Sequence, residues 1–200
     1  MPPEEIIFLG LVFYAVGYYS YLRDMFLGNT KPNLVSWFIW MLAPLIATFF
    51  ALKAGAGLSV IPVFAGGVGP MIVLSVSLLR KNVSWKITQI DLICGAMSLL
   101  ALSLYVTTHN LSISIVFAIL SDALAFIPTF RKSWSHPESE TGLLYMASAV
   151  VNITGVFVIK NWSFPIYSFG TYLIIANIVQ LSIMYRKKIF KTVQDVKIDN

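Results

Sequence analysis

Apolar residues fall into seven long runs separated by short polar turns, at roughly 6–23, 34–53, 57–79, 89–108, 111–130, 142–160 and 163–185. Each approaches the about 20 residues that a helix needs to cross the hydrocarbon core of a bilayer. A chain in lipid must satisfy its backbone N–H and C=O groups internally, and an open chain does so as a helix. The pattern therefore predicts an all-α polytopic membrane protein with seven transmembrane helices. The shallowest separation lies between the fourth and fifth runs, where "THN" around His109 interrupts.

Composition strengthens this picture. Charged residues make up 12% of the chain and hydrophobic residues 58%, whereas soluble domains carry about 25% charged residues. The net charge of +5 is topological rather than a sign of nucleic-acid binding, because the basic residues sit between apolar runs. Arg23, Lys31, Arg80, Lys81, Lys86, Arg131, Lys132, Arg186, Lys187, Lys188, Lys191 and Lys197 belong to alternate loops and the C-terminal segment, while the other side holds Lys53 and Lys160. The positive-inside rule places the C-terminus in the cytosol and, with seven spans, the N-terminus outside a plasma or inner membrane. The acidic start "MPPEE" lacks the basic region of a signal peptide, so the first apolar run is expected to be retained.

The halves of the chain repeat. At an offset of 105, "TKPNLVSWFIWM" and "SHPESETGLLYM" align Pro32 with Pro137, Ser36 with Thr141, Trp40 with Tyr145 and Met41 with Met146. "IPVFAGG" and "FPIYSFG" align Pro62 with Pro165 and Gly67 with Gly170. Spans one to three thus match spans five to seven, and the spare fourth span brings the second triplet in with the same orientation. The expected organisation is a 3+1+3 arrangement with parallel three-helix repeats. Its parts are a first bundle over 1–86, a linker helix over 87–110, a second bundle over 111–187 and a cytosolic tail over 188–200.

"FIPTFRKSWSHPESETG" resembles the PQ-loop signature: Pro128-Thr129 stand where Pro-Gln would be, Arg131 and Lys132 supply the basic residues, and Thr141 opens the sixth span. The 3+1+3 plan is similar to SWEET sugar transporters and the wider PQ-loop group. Transporters of vitamin precursors of the PnuC type share the plan, and "WFIW" (Trp37, Trp40) resembles their W-x-x-W. The resemblance implies alternating access between two three-helix bundles, with a sugar, an amino acid or a vitamin precursor as solute. It also implies that Asn177 is the pocket-lining asparagine of the second repeat.

The residues themselves supply candidates for such a pocket. Asp122 lies near the middle of the fifth span, roughly 15 Å from either end at 1.5 Å per residue. Carrying an ionised carboxylate there costs about 2.5–3.5 kcal/mol, so Asp122 is expected to face a cavity or to be protonated. It would serve as a proton carrier or bind a cationic or hydroxylated substrate; alternatively it donates one hydrogen bond to a neighbouring carbonyl. Asn152, Asn177 and Gln180 place amides at mid-membrane, suited to hydroxyl-rich or zwitterionic ligands or to interhelical hydrogen bonds. Trp40 and Tyr145 are candidate pocket walls, with Tyr167 and Tyr172 behind them. Trp37, Trp85 and Trp134 are expected in the interfacial aromatic belt. Pro128, Pro44, Pro62 and Pro165 interrupt or open spans and are candidate hinges. Asp91 is expected to anchor at the interface near Lys86.

No Walker, G-x-S-x-G or H-E-x-x-H sequence occurs, so hydrolase and ATPase chemistry lacks a basis. No enzyme activity, cofactor, metal or nucleic-acid partner is expected. The expected partners are lipid, a small solute and protons, and a homo-oligomer is compatible. The competing reading is a non-transporting membrane scaffold, sensor or assembly factor built on the same bundle.

Overall fold

A computed structural model describes residues 4–80, 84–108 and 110–198. His109 and Lys81 lie outside them, as do the last two residues of the expected tail. Among the described residues all regular secondary structure is helical, joined by short turns. The helices are α1 (Ile6–Phe26), α2 (Leu34–Lys53), α3 (Ile61–Leu79), α4 (Gln89–Thr107), α5 (Leu111–Ser135), α6 (Gly142–Phe157) and α7 (Phe164–Ile198).

Local chemistry sets where these helices begin. Asn33 caps α2 by accepting hydrogen bonds from the N–H groups of Val35 and Ser36, and Asn110 caps α5 from Ser112 and Ile113. Such caps satisfy amides that the helix leaves unbonded. Thr88 and Asp91 form a reciprocal capping box at α4. Asp91 is therefore a helix-starting residue, and its interactions are with Thr88 rather than with Lys86. Pro62 and Pro165 are each the second residue of their helices, where the missing N–H is not needed. They open α3 and α7, while Pro44 and Pro128 lie within α2 and α5.

Helix ends differ from the apolar runs in two places. α5 continues through Pro128 to Ser135, and α7 continues through the expected tail to Ile198. Hydropathy falls at Arg131 and Arg186, but polarity does not stop a helix whose residues favour it.

Five segments are long and apolar enough to cross a membrane: Ile6–Phe26, Leu34–Lys53, Leu58–Leu79, Leu111–Ser135 and Phe164–Lys187. Gln89–Leu104 and Gly142–Phe157 are shorter apolar helices. Large apolar side chains such as Leu9, Phe49, Leu100 and Ile175 lie exposed around the bundle. In water this surface would be a liability; in lipid it is the expected exterior. The molecule is built as a helical protein of the membrane.

In the bundle α1 packs on α6, α2 on α3 and α5, α7 on α5 and α6, and α4 on α5. Glycines permit the closest approaches. Gly10 and Gly17 of α1 sit against Thr154 and Ala147 of α6, and Gly69 of α3 faces the Tyr18 ring. Ser98 and Ser121 exchange hydroxyl-to-carbonyl bonds of 2.9 and 2.8 Å between α4 and α5.

The loops sort by charge into two ends. At one, here called the basic end, the Lys31 N–H reaches the Ser139 carbonyl at 3.2 Å and the Trp85 N–H reaches that of Pro32 at 2.8 Å. Arg186 lies over the Trp134 ring at 4.5 Å, and Arg80 over Phe26 at 4.2 Å. At the opposite end, Lys160 pairs with Glu4.

Candidate functional site

A cavity of about 50 Å³ lies inside the bundle. Tyr14 and Tyr18 reach it from α1, Trp37, Trp40 and Pro44 from α2, and Gly66 and Pro70 from α3. Asp122 and Phe126 come from α5, Leu144, Tyr145 and Ser148 from α6, and Leu173 and Asn177 from α7. No lining residue comes from α4. One water needs about 10–15 Å³ of such space, so the cavity has room for a few waters in this conformation.

Of the residues expected from the sequence to bind a solute, Asp122, Asn177, Trp40 and Tyr145 meet here. Asp122 is fully buried, at 0% exposure. The Tyr172 hydroxyl donates to its Oδ2 at 2.9 Å, and its Oδ1 has no partner. No backbone carbonyl takes a hydrogen bond from this carboxyl, so that expected structural role is not the one observed. The Asn177 amide donates to the Leu173 carbonyl of its own helix at 2.7 Å. Trp40 packs at 5.5 Å from Trp37 and 4.5 Å from Phe126, and its Nε1 has no partner.

Asn152 and Gln180 do not line the cavity. Asn152 donates to the Ser148 carbonyl at 2.8 Å, and Gln180 donates to the Ser133 hydroxyl at 2.6 Å, joining α7 to α5. Of the span-interrupting prolines, Pro44 of α2 and Pro70 of α3 stand in the cavity wall. Pro128 lies six residues beyond Asp122 and two beyond Phe126, on the basic side. Next to it Ser36 donates to the Ala125 carbonyl at 2.7 Å and accepts from Thr129 at 3.1 Å, which ties this part of α5 to α2. Tyr167 is remote, with Trp162 and Phe164 at the opposite end. Trp37 is buried in the core against Tyr21 and Trp40 rather than in an interfacial belt.

Between the cavity and the basic end lies a polar network that hydropathy does not reveal. Lys132 forms an ion pair with Glu140, their side chains 1% and 0% exposed. Lys132 also donates to the Lys31 carbonyl and sits 5.5 Å from the Trp85 ring. The Tyr145 hydroxyl donates to the other Glu140 oxygen at 2.9 Å. Alongside, Thr141 donates to Asp24 at 3.0 Å and shares a 2.7 Å hydrogen bond with Thr30. Lys132 is thus a buried cation although it lies outside the apolar runs, and its partner is Glu140. Its eight-residue separation from Glu140 crosses a turn, and only folding closes it.

Asp24, Glu140, Tyr14 and Tyr18 are the residues that sequence reasoning missed. For Tyr14 a signal exists: Ile7, Gly10, Tyr14, Gly17, Tyr21 and Met25 recur at helical spacing and form the buried face of α1. Among the described residues, no three His, Cys, Asp or Glu side chains gather as metal ligands. No protein-family model, curated protein or solved structure matches the chain.

Proposed function

We propose that the protein is a seven-span carrier of small solutes, working by alternating access between α1–α3 and α5–α7, with α4 as the linker. The observation that carries this reading is the composition of the cavity wall: every helix of both triplets contributes and α4 does not. The packing pairs also support a parallel repeat. Exchanging α1, α2 and α3 with α5, α6 and α7 turns α1–α6 into α5–α2, α2–α3 into α6–α7, and α1–α3 into α5–α7; all are observed contacts. Gly67 lies against α2 at Leu45 and Met41, and its repeat mate Gly170 lies against α6 at Val156 and Asn152. Both features agree with the resemblance to the PQ-loop and SWEET group.

In this reading the Asp24–Thr141 bond and the Lys132 bond to the Lys31 carbonyl hold the cytosolic side closed, because they join α1 and the α1–α2 turn of one triplet to α5 and the α5–α6 turn of the other, while Glu140 holds Lys132 in place. Tyr145 lines the cavity and bonds Glu140, so a solute that moves its ring loosens the closure. At the opposite end a cavity of about 570 Å³ lies between Gly57, Leu58 and Lys160, and in this reading it faces outside. The small volume of the central cavity favours the second reading, a non-transporting scaffold or sensor with a packed core.

The test is uptake into vesicles containing the purified protein, alongside thermal stabilisation by sugars, amino acids and vitamin precursors. Transport predicts that one class both raises the melting temperature and accumulates. A panel with no uptake and no stabilisation removes the carrier reading and leaves the scaffold.

A further inference from the structure

Resting on the carrier reading, we propose that the central cavity selects a compact organic monocation, an amine or quaternary ammonium that also bears a hydrogen-bond acceptor. Asp122 is the counter-ion and the aromatic walls form the cage.

Charge is the first ground. Asp122 is the one charged side chain in the cavity wall. Its single protein partner is the neutral Tyr172 hydroxyl, and Oδ1 is left without any. The buried cation in the same helix does not serve it. Lys132 lies ten residues further along α5, about 15 Å at 1.5 Å per residue, and is held by Glu140 and the Lys31 carbonyl. A buried charge without a partner is unfavourable, so an ionised Asp122 calls for a positive charge beside it.

The walls are the second ground. Tyr14, Tyr18, Trp37, Trp40, Phe126 and Tyr145 surround the space. Aromatic faces are negative and attract cations, Trp most strongly. An anion would meet both these faces and the carboxylate. A polyol would find few free donors, because the Asn177 amide is already bonded to its own helix. The free Trp40 Nε1 is a donor only, which is why the ligand carries an acceptor besides its charge. The volume of about 50 Å³ favours a compact cation over an extended one.

The experiment uses the full chain in lipid nanodiscs and vesicles. The probes are choline, methylammonium, glucose and 3,3-dimethylbutanol, the last having the shape of choline without its charge. Choline or methylammonium should raise the melting temperature, shift tryptophan fluorescence and be taken up. The neutral isostere should bind at least about tenfold more weakly than choline. Asp122→Asn should abolish the cation response and Asp122→Glu should retain part of it; Trp40→Phe should weaken choline less than Trp40→Leu. The comparison between choline and 3,3-dimethylbutanol is made on the unaltered protein, so it stands even where a variant fails to fold.

Equal binding of the two isosteres, an unchanged cation response in a folded Asp122→Asn protein, or no response to either cation overturns the proposal. Uptake of glucose or a neutral amino acid without any cation response overturns it while leaving the carrier reading intact. Silence towards every solute of the wider panel removes both.

Discussion

The two ends of the bundle each hold an ion pair, one closed across a turn of eight residues and one joining Glu4 to Lys160, yet the pairs are physically unlike. At the basic end, Lys132 and Glu140 are 1% and 0% exposed, and further hydrogen bonds reach both. At the opposite end, Lys160 and Glu4 are 73% and 34% exposed, with no such network around them. Water solvates the second pair whether or not its members meet, so its formation contributes little. The first pair has left water altogether, and each charge depends on the other. The difference teaches that like-looking contacts close the two ends with different strength: the basic end is locked and the other merely tethered.

The largest effect expected from this contrast is the loss of one member of the buried pair. Glu140→Gln or Lys132→Met should each destabilise the protein by about 3–5 kcal/mol, because an uncompensated charge stays inside. The double variant should recover much of that loss. Denaturant unfolding in detergent micelles measures it, and single variants as mild as Lys160→Ala would break the comparison.

Next in size is Gly69→Leu. A Cβ at Gly69 would lie 2.0 Å from the Tyr18 ring, and overpacking of this kind costs about 1–3 kcal/mol. At Gly66 the nearest atoms to a Cβ are 3.9 Å away, so Gly66→Ala should be neutral or slightly stabilising in the same melts. Equal melting temperatures for the two variants would show that close helix packing adds nothing between the ends.

Thr141→Val tests the second strand of the lock. It removes the bonds to Asp24 and Thr30, and a hydrogen bond to a charged group contributes about 1.5–3 kcal/mol. Protection of the 24–31 and 136–141 amides from hydrogen exchange should fall together. Loss confined to one turn would separate the two halves of the network.

The smallest effect belongs to the exposed tether. Glu4→Ala or Lys160→Ala should change stability by less than about 1 kcal/mol, and salt should diminish even that. An effect as large as that of Glu140→Gln would show that the two ends are closed alike.

Much of the fold was legible because its signals are local. The start of α2 at Leu34 and the end at Lys53 agree with the second apolar run, as do the start of α6 at Gly142 and that of α4 at Gln89. Asn33 and Asn110 announce helix starts within three residues. The end of α7 was not legible, because a drop in hydropathy marks where lipid would stop rather than where helical hydrogen bonding stops. The candidate site was legible in part. Asp122, Asn177, Trp40 and Tyr145 converge on the cavity, whereas Asn152 and Gln180, equally polar and equally central, turn into their own helix or its neighbour. Depth along a helix follows from residue number, but the direction a side chain takes depends on how each helix is rotated within the bundle.

The amino-acid sequence by itself determined that this chain forms apolar helices, where most of them begin, and which loops carry the positive charge, since these follow from hydropathy and capping over a few residues. Only the tertiary structure decided that Lys132 is buried, that it meets Glu140, and that Asp122 shares a cavity with six aromatic rings from four helices. The physical reason is that burial and pairing depend on the rotation and approach of helices far apart in sequence, which close contacts such as Gly17 on Ala147 and Gly69 on Tyr18 set.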